Sequence, residues 1–266
     1  MNIDLRGQTA VVTGSSTGLG RACALGLAAE GMNVVVNYHS SQEEGQDTVK
    51  EIEEAGGTAI AVQADVSKEE DVSRLFRECL DTYHHLDLVV ANAGLQADAA
   101  FTEMTLEQWN KVIDVDLTGQ FLCCREAARI FRRQGVHEHG KSAGKIICMS
   151  SVHDEIPWSG HVNYAAAKGG VKMLMESMAQ ELAGDKIRVN SISPGAIRTD
   201  INKEAWGTEE AMTELLKLIP YGRIGESVDV ANLCAFLASD VSDYITGATI
   251  YIDGGMMLYP GFRYGG

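Results

Sequence analysis

The sequence is poor in positive charge. Its 22 Lys and Arg stand against 37 Asp and Glu, leaving a formal net charge of −15. A chain this acidic repels nucleic-acid phosphates, and no basic stripe offsets the balance, so nucleic acid is excluded as a partner. Runs of about 18 or more apolar residues are absent, which excludes a transmembrane helix, and no membrane partner is expected. The N-terminus, Met1-Asn2-Ile3-Asp4-Leu5-Arg6, lacks the basic-then-apolar pattern of a signal peptide. A cytoplasmic location is therefore expected. Cysteine is sparse and unpaired in pattern: Cys23, Cys79, Cys123, Cys124, Cys148 and Cys234 form no Cys-x-x-Cys. Most lie in apolar stretches, which predicts reduced core thiols rather than disulfides or a metal site. The two histidines of the polar segment His137–Gly144 read as part of a solvated turn, and no metal is expected.

Apolar residues are plentiful, at 45 % of the 266 residues, enough for one large core. Short β-branched runs alternate with longer amphipathic segments. Strands are predicted at Thr9–Thr13, Val34–Val36, Thr58–Val62, Leu86–Ala91, Lys145–Met149, Arg188–Ile192 and Thr249–Ile252. Helices are predicted at Arg21–Glu30, Glu43–Ala55, Lys68–Tyr83, Leu106–Arg133, Tyr164–Leu182 and Asp229–Ser239. This alternation implies an α/β fold: a doubly wound parallel sheet with right-handed crossovers and helices on both faces. No linker, repeat or low-complexity tract divides the chain. Residues 1–150 form the half expected to hold a cofactor, and 151–266 the half expected to hold catalysis and substrate.

Thr13-Gly14-Ser15-Ser16-Thr17-Gly18-Leu19-Gly20 follows the first strand and opens the first helix. Gly14 and Gly18 permit a tight turn whose backbone N–H groups approach a pyrophosphate, and Gly20 lets the helix close on the sheet. Ser16, Thr17 and Leu19 lie in the same loop. The glycine trio has the strand before and the helix after that a dinucleotide site requires. At the end of the second strand the chain reads Asn37-Tyr38-His39-Ser40, with neither an acid to bind a ribose 2′-hydroxyl nor an arginine to bind a 2′-phosphate. Ser40 and His39 favour NADP, and NAD is also accommodated. Asp65-Val66 after the third strand can hold an adenine edge; alternatively it belongs to a helix-capping turn in which Ser67 is the cap.

Tyr164-Ala-Ala-Ala-Lys168 puts a phenol and an ammonium at i and i+4 on one helix face. A phenol is a poor base near neutrality, and a fixed ammonium beside it stabilises the phenolate for acid/base work. Ser151, after a strand and upstream of that helix, is placed to hold a substrate oxygen.

In these residues the chain resembles the short-chain dehydrogenase/reductase family. The motifs Thr13-Gly14-x3-Gly18-x-Gly20, Asn92-Ala93-Gly94, Ser151, Tyr164-x3-Lys168 and Pro194-Gly195 with Thr199 occur in the family's order and span the chain. The resemblance implies a seven-stranded Rossmann-type sheet and hydride transfer at the nicotinamide ring. It implies that Asn92, Ala93 and Gly94 line the adenosine ribose and that Lys168 also binds the nicotinamide ribose. It also implies that Pro194 to Thr199, with Gly195 and Ile197, holds the carboxamide. Within the family the chain is similar to bacterial glucose 1-dehydrogenases, through Ser150-Ser151-Val152-His153, Ile156-Pro157-Trp158 and Asp253-Gly254-Gly255-Met256. That likeness implies a sugar or alcohol substrate and a homotetramer, with Met256–Pro260 suited to a subunit interface. Two positions depart from the pattern. Gln96 stands where the glucose enzymes carry a glutamate, and Asp116 stands where many members place the asparagine of a catalytic tetrad. A buried carboxylate at 116 is expected to hold its proton more tightly than usual. Gln96, His153, Trp158, His161 and Asn163, with Ser151 and Tyr164, are the expected substrate contacts. Residues Ile201 to Ile219 are the expected lid.

Overall fold

The computed structural model describes residues 3–136 and 140–258. His137 and His139, like Tyr259 and Pro260 at the end of the expected interface stretch, lie outside the described residues. Seven strands form one sheet: β1 (Thr9–Val12), β2 (Asn33–Tyr38), β3 (Thr58–Gln63), β4 (Leu88–Ala91), β5 (Gly144–Met149), β6 (Ile187–Pro194) and β7 (Thr249–Ile252). Their order is β3-β2-β1-β4-β5-β6-β7, with every pairing parallel. The strands are apolar on both sides because helices cover both faces, as a parallel sheet requires.

The helices are α1 (Gly18–Ala29), α2 (Gln42–Glu54), α3 (Glu69–Tyr83), α4 (Leu106–Val112), α5 (Gln120–Gln134), α6 (Val162–Leu182), α7 (Glu209–Lys217) and α8 (Ser227–Ala238). One core joins the sheet to α3, α5 and α6 through residues such as Leu75, Phe76, Phe131, Val171 and Met175. The other joins the opposite face to α1, α2 and α8 through Leu27, Val34, Ile52, Val230 and Leu237. The strand order reverses between β1 and β4. Their carboxyl ends diverge there, and the crevice outside that point is where such sheets bind ligands.

The expected single helix Leu106–Arg133 is three pieces. Between α4 and α5 the residues Ile113–Gly119 take a π-helical turn. Apolar periodicity cannot show this, because a wider turn changes the hydrogen-bond ladder more than the pattern of faces. Local packing holds it. A Cβ at Gly119 would stand 2.8 Å from Val66, and one at Gly170 of α6 would stand 2.9 Å from Leu117. The expected lid region contains a 3-10 turn at Asp200–Ala205 followed by α7. Among the described residues, no helix is long and apolar enough to cross a membrane, and no group of three His, Cys, Asp or Glu side chains gathers as metal ligands.

Candidate active site

A cleft of about 950 Å³ runs along the carboxyl ends of β1, β2, β4 and β5. Its floor is the glycine loop. Gly14 and Gly18 adopt positive φ, at 59° and 56°. A Cβ at Gly20 would stand 2.2 Å from the Gly14 carbonyl oxygen, so only glycine lets α1 come this close. Thr17 at the N-cap makes no side-chain cap bond, which leaves first-turn N–H groups of α1 for an anion. Gly14, Ser16, Thr17, Gly18 and Leu19 all line the cleft. This backbone cradle, open where a Cβ would fill it, fits a dinucleotide pyrophosphate.

Two asparagines brace the loop from behind. Asn37, buried at the end of β2, accepts the Gly14 N–H at 3.0 Å. Its amide also donates to the carbonyls of Tyr38, Val62 and Ala64. Asn92 donates to the carbonyls of Thr13 and Gly14 at 2.9 and 3.1 Å. Thr13 Oγ1 accepts the N–H groups of Asn92 and Ala93. Asn92 is thus a cleft residue and a structural brace at once. Asn37 was not singled out from sequence; the only signal was a polar residue directly after a run of three valines.

Of the residues expected at the adenosine, His39, Ser40, Asp65 and Val66 line the cleft. Tyr38 does not. Its ring is buried against α2, where a Cβ on Gly45 would come within 2.8 Å, so period-two alternation sends it away from the site. Asp65 accepts from the Ser67 N–H and hydroxyl at 3.0 and 2.7 Å. The N-cap position of α3 belongs to Lys68, not Ser67. Ser41, Glu44, Lys111 and Asp114 also reach the cleft from α2, its capping turn, α4 and the π-helical turn, and were missed from sequence because their elements meet only in the fold.

Ser151 follows β5 in extended conformation and caps a 3-10 turn, accepting the His153 N–H at 3.2 Å. Tyr164 and Lys168 rise from α6 on one face. Lys168 Nζ lies 5.3 Å from the centre of the Tyr164 ring and donates to the Met149 carbonyl at 3.2 Å. Asp116 Oδ2 is 3.1 Å from the same Nζ, and Asp116 is fully buried. Burial pushes the Asp116 carboxyl above the usual carboxylate range, against the opposing pull of Lys168 and the Leu95 N–H. For Lys168, burial acts downward, but Asp116 and Tyr164 outweigh it and the ammonium is held more tightly than usual. The expected direction for a carboxylate at 116 is the one found.

Behind Ser151, Asp154 gathers three hydroxyls. Ser150, Ser193 and Tyr251 donate to it at 2.9, 2.7 and 2.9 Å. This ties the turn that Ser151 caps to β6 and β7. Burial, followed by the bond to Asp154, pushes the Tyr251 phenol up to about 12.

Of the expected substrate contacts, Gln96 and Tyr164 line the cleft. Three rings stack beside Tyr164: His153 on Trp158 at 4.2 Å, and Trp158 on His161 at 3.5 Å. Trp158 and Tyr164 meet edge to face at 6.1 Å. His161 Nδ1 lies 2.7 Å from Asp98. Burial holds the His153 imidazole below its ordinary range. Asn163 is not available to a substrate as expected. It is fully buried, its amide held by the carbonyls of Ala97 and Gln108, and its carbonyl accepts the Tyr164 N–H. It anchors the start of α6 to the loop carrying Gln96. Of the carboxamide segment, Thr199 lines the cleft. Pro194 and Gly195 pair with Ile252, and the Ile197 side chain is buried beside Gly225, so any role of these three lies in their backbone.

A glycine cradle at a sheet switch point, with Tyr164 and Lys168 lining the same cleft and Ser151 on the turn that follows β5, is equipped to move a proton next to a bound dinucleotide. Known proteins agree. A family model described as enoyl-(acyl carrier protein) reductase matches residues 14–257. The chain is 49 % identical to 3beta-hydroxysteroid dehydrogenase 1 of Eggerthella lenta over 262 residues, covering 98 % of each. It is 43 % identical to glucose 1-dehydrogenase 2 of Bacillus subtilis over 258 residues, covering 97 % of each. Among solved structures, a gluconate 5-dehydrogenase from Burkholderia cenocepacia in complex with NADP and tartrate superposes with a TM-score of 0.89. It is 29 % identical, with 97 % of this chain and 98 % of that chain covered. The chain belongs to the short-chain dehydrogenase/reductase family and is an NAD(P)-dependent oxidoreductase acting on CH–OH groups.

Proposed function

We propose that the enzyme acts on a ring-borne hydroxyl, the C1 hydroxyl of an aldose such as D-glucose, giving D-glucono-1,5-lactone, with NADP as the preferred cofactor. The observation that carries this reading is the polar, rigid wall beside Tyr164. Gln96 at the cleft and the stacked imidazoles of His153 and His161 offer donors and acceptors in fixed directions. A polyhydroxylated ring has matching groups around its edge. The 43 % identical glucose 1-dehydrogenase 2 supports the same reading.

When bound, the dinucleotide supplies the hydride acceptor at its nicotinamide ring. The chain's own residues do the rest. Tyr164 in its phenolate form takes the hydroxyl proton. Ser151 donates a hydrogen bond to the substrate oxygen and steadies it as its charge changes. Lys168 stabilises the phenolate by charge. The N–H groups of the glycine loop and α1 hold the pyrophosphate. His39 and Ser40 face the adenosine end, and the absence of an acid at the close of β2 spares a 2′-phosphate from repulsion there.

A second reading, a 3β-hydroxysteroid substrate, is favoured by the 49 % identical relative and by Trp158, which is 37 % exposed and offers apolar surface next to Tyr164. Initial rates with D-glucose, other aldoses, gluconate, a 3β-hydroxysteroid and an acetoacetyl thioester, each with NADP(H) and NAD(H), separate the readings. The sugar reading expects the highest kcat/KM on an aldose with NADP. A steroid preference of tenfold or more overturns it. Cofactor binding with no turnover on the whole panel would point instead to a cofactor-sensing protein.

We also infer a homotetramer, supported by the exposed Phe101, Phe121 and Tyr244 side chains. Light scattering on the purified protein measures its mass directly.

A further inference from the structure

Asp116 sits on the π-helical turn at the base of the cleft. Its Oδ1 accepts the Leu95 N–H at 2.8 Å, and its Oδ2 lies 3.1 Å from Lys168 Nζ. Both oxygens therefore face donors, an arrangement that an ionised carboxylate satisfies and a neutral acid does not. The contact with Nζ is close but poorly aligned as a hydrogen bond, so charge rather than direction binds the pair. Room for it exists because residue 94 is glycine: a Cβ there would stand 2.7 Å from Oδ2. An asparagine at 116 would leave the Lys168 charge whole. A carboxylate cancels much of it before it reaches Tyr164.

We propose that Asp116 is a positioning and charge-balancing residue that offsets the Lys168 charge felt by Tyr164. The phenolate then forms at more alkaline pH than it would beside an unopposed ammonium, and alcohol oxidation gains its base correspondingly later as pH rises. The inference rests on the Ser151–Tyr164–Lys168 chemistry of the proposed function and adds the pH range in which it runs. The other ionisable groups that act on Lys168 are Tyr164 on α6 and Cys148 on β5, while Asp114 and Lys111 line the same cleft. The segment Asn92–Leu95 brings only neutral groups. Among the described residues Asp116 is the carboxylate within ion-pair distance of Nζ, so it sets the balance there.

The sign follows from electrostatics. Removing the negative charge leaves the ammonium uncompensated and favours the phenolate, so the acidic limb of the oxidation profile moves down. With the two charges roughly 8 Å apart and an effective dielectric of ~20, the shift is on the order of 1 pH unit. The test uses the full-length enzyme with bound NADP and two neutral variants, Asp116→Asn and Asp116→Ser, so that a folding failure in one leaves the other. The kcat–pH profile for alcohol oxidation is measured alongside thermal melting and cofactor affinity. In parallel, the ultraviolet tyrosinate band is titrated as the difference between each protein and its own Tyr164→Phe counterpart. The spectral arm needs no substrate, so it still reports on the charge balance if the substrate reading fails.

The expected result is a downward shift of about one unit in both the acidic limb and the tyrosinate titration, with melting and cofactor affinity nearly unchanged. An unmoved profile in a folded variant overturns the proposal. So does an upward shift, which would mean that Asp116 serves chiefly to keep Lys168 protonated. Loss of turnover at every pH with the tyrosinate titration in place also overturns it.

Discussion

In the proposed reaction Tyr164 moves the proton, a role that depends on its hydroxyl rather than its size. Replacing it by Phe removes one oxygen and leaves the ring against Trp158 and His153. We expect kcat to fall by about 10²–10⁴-fold with NADP affinity retained; stopped-flow fluorescence and steady-state rates check the two halves. Gly94 is as stringent for a different reason. Gly94→Ala places a methyl against a buried carboxylate that cannot leave, because Leu95 and Lys168 hold it. We expect a loss of about 1–3 kcal/mol in chemical unfolding, as for overpacking a tight site, together with a drop in kcat. The Tyr164–Lys168 pair was legible in the sequence because α-helical spacing alone brings i and i+4 together, whereas Ser151 was placed only by its position after a strand and by the order of the family's motifs. The ion pair of Asp116 with Lys168 was not, since 52 residues of chain separate them and nothing local signals the contact.

The elements carry the site by where they end. The close of β2 is the instructive case. Period-two alternation buries the Tyr38 ring on α2 and turns Asn37 toward the glycine loop, so the tyrosine expected at the cofactor is structural and the unremarked asparagine is the brace. Asn37→Ala leaves the Gly14 N–H without its side-chain acceptor and takes one donor from the carbonyls of Tyr38, Val62 and Ala64. The expected outcome is a several-fold rise in the KM for NADP and a loss of about 1–3 kcal/mol of stability, measured by kinetics and urea titration. The π-helical turn teaches the same lesson. Apolar spacing predicts a continuous helix from Leu106, yet the wider turn is what lowers Asp116 onto Lys168. The turn is set by Val66 and Gly170, residues of other elements. Asn163 was expected at a substrate because of its place in the sequence. Its burial shows instead how the first turn of α6 is pinned to the loop before α4.

Across the whole molecule, all six cysteines are buried. Burial alone pushes the Cys123 thiol up to about 12, and burial with the nearby Asp87 does the same for Cys79. Native protein should therefore react slowly with a thiol reagent, and six thiols per chain should appear only on unfolding, as a colorimetric titration with and without denaturant would record. Acid stability has its own pattern. Asp71 is held below the usual range by the Asp65 N–H and then Arg74, and Asp229 by Arg223 and then the Glu226 N–H. A depressed folded value gives stability that is present above the usual carboxylate range and lost as pH falls through the folded value. Melting temperature should thus decline below about pH 4. Asp116, whose value is raised, contributes in the opposite sense, and calorimetry across that range follows the net effect. The alternation of strand and helix, the glycine trio and the Tyr–Lys spacing were determined by the sequence alone. They depend on local backbone geometry and on periods of two and 3.6 residues. Only the tertiary structure decided the strand order, the bracing by Asn37 and Asn92, and the burial of a charge pair at the base of the cleft. Those depend on contacts between elements far apart in the chain, and no local spacing encodes such contacts.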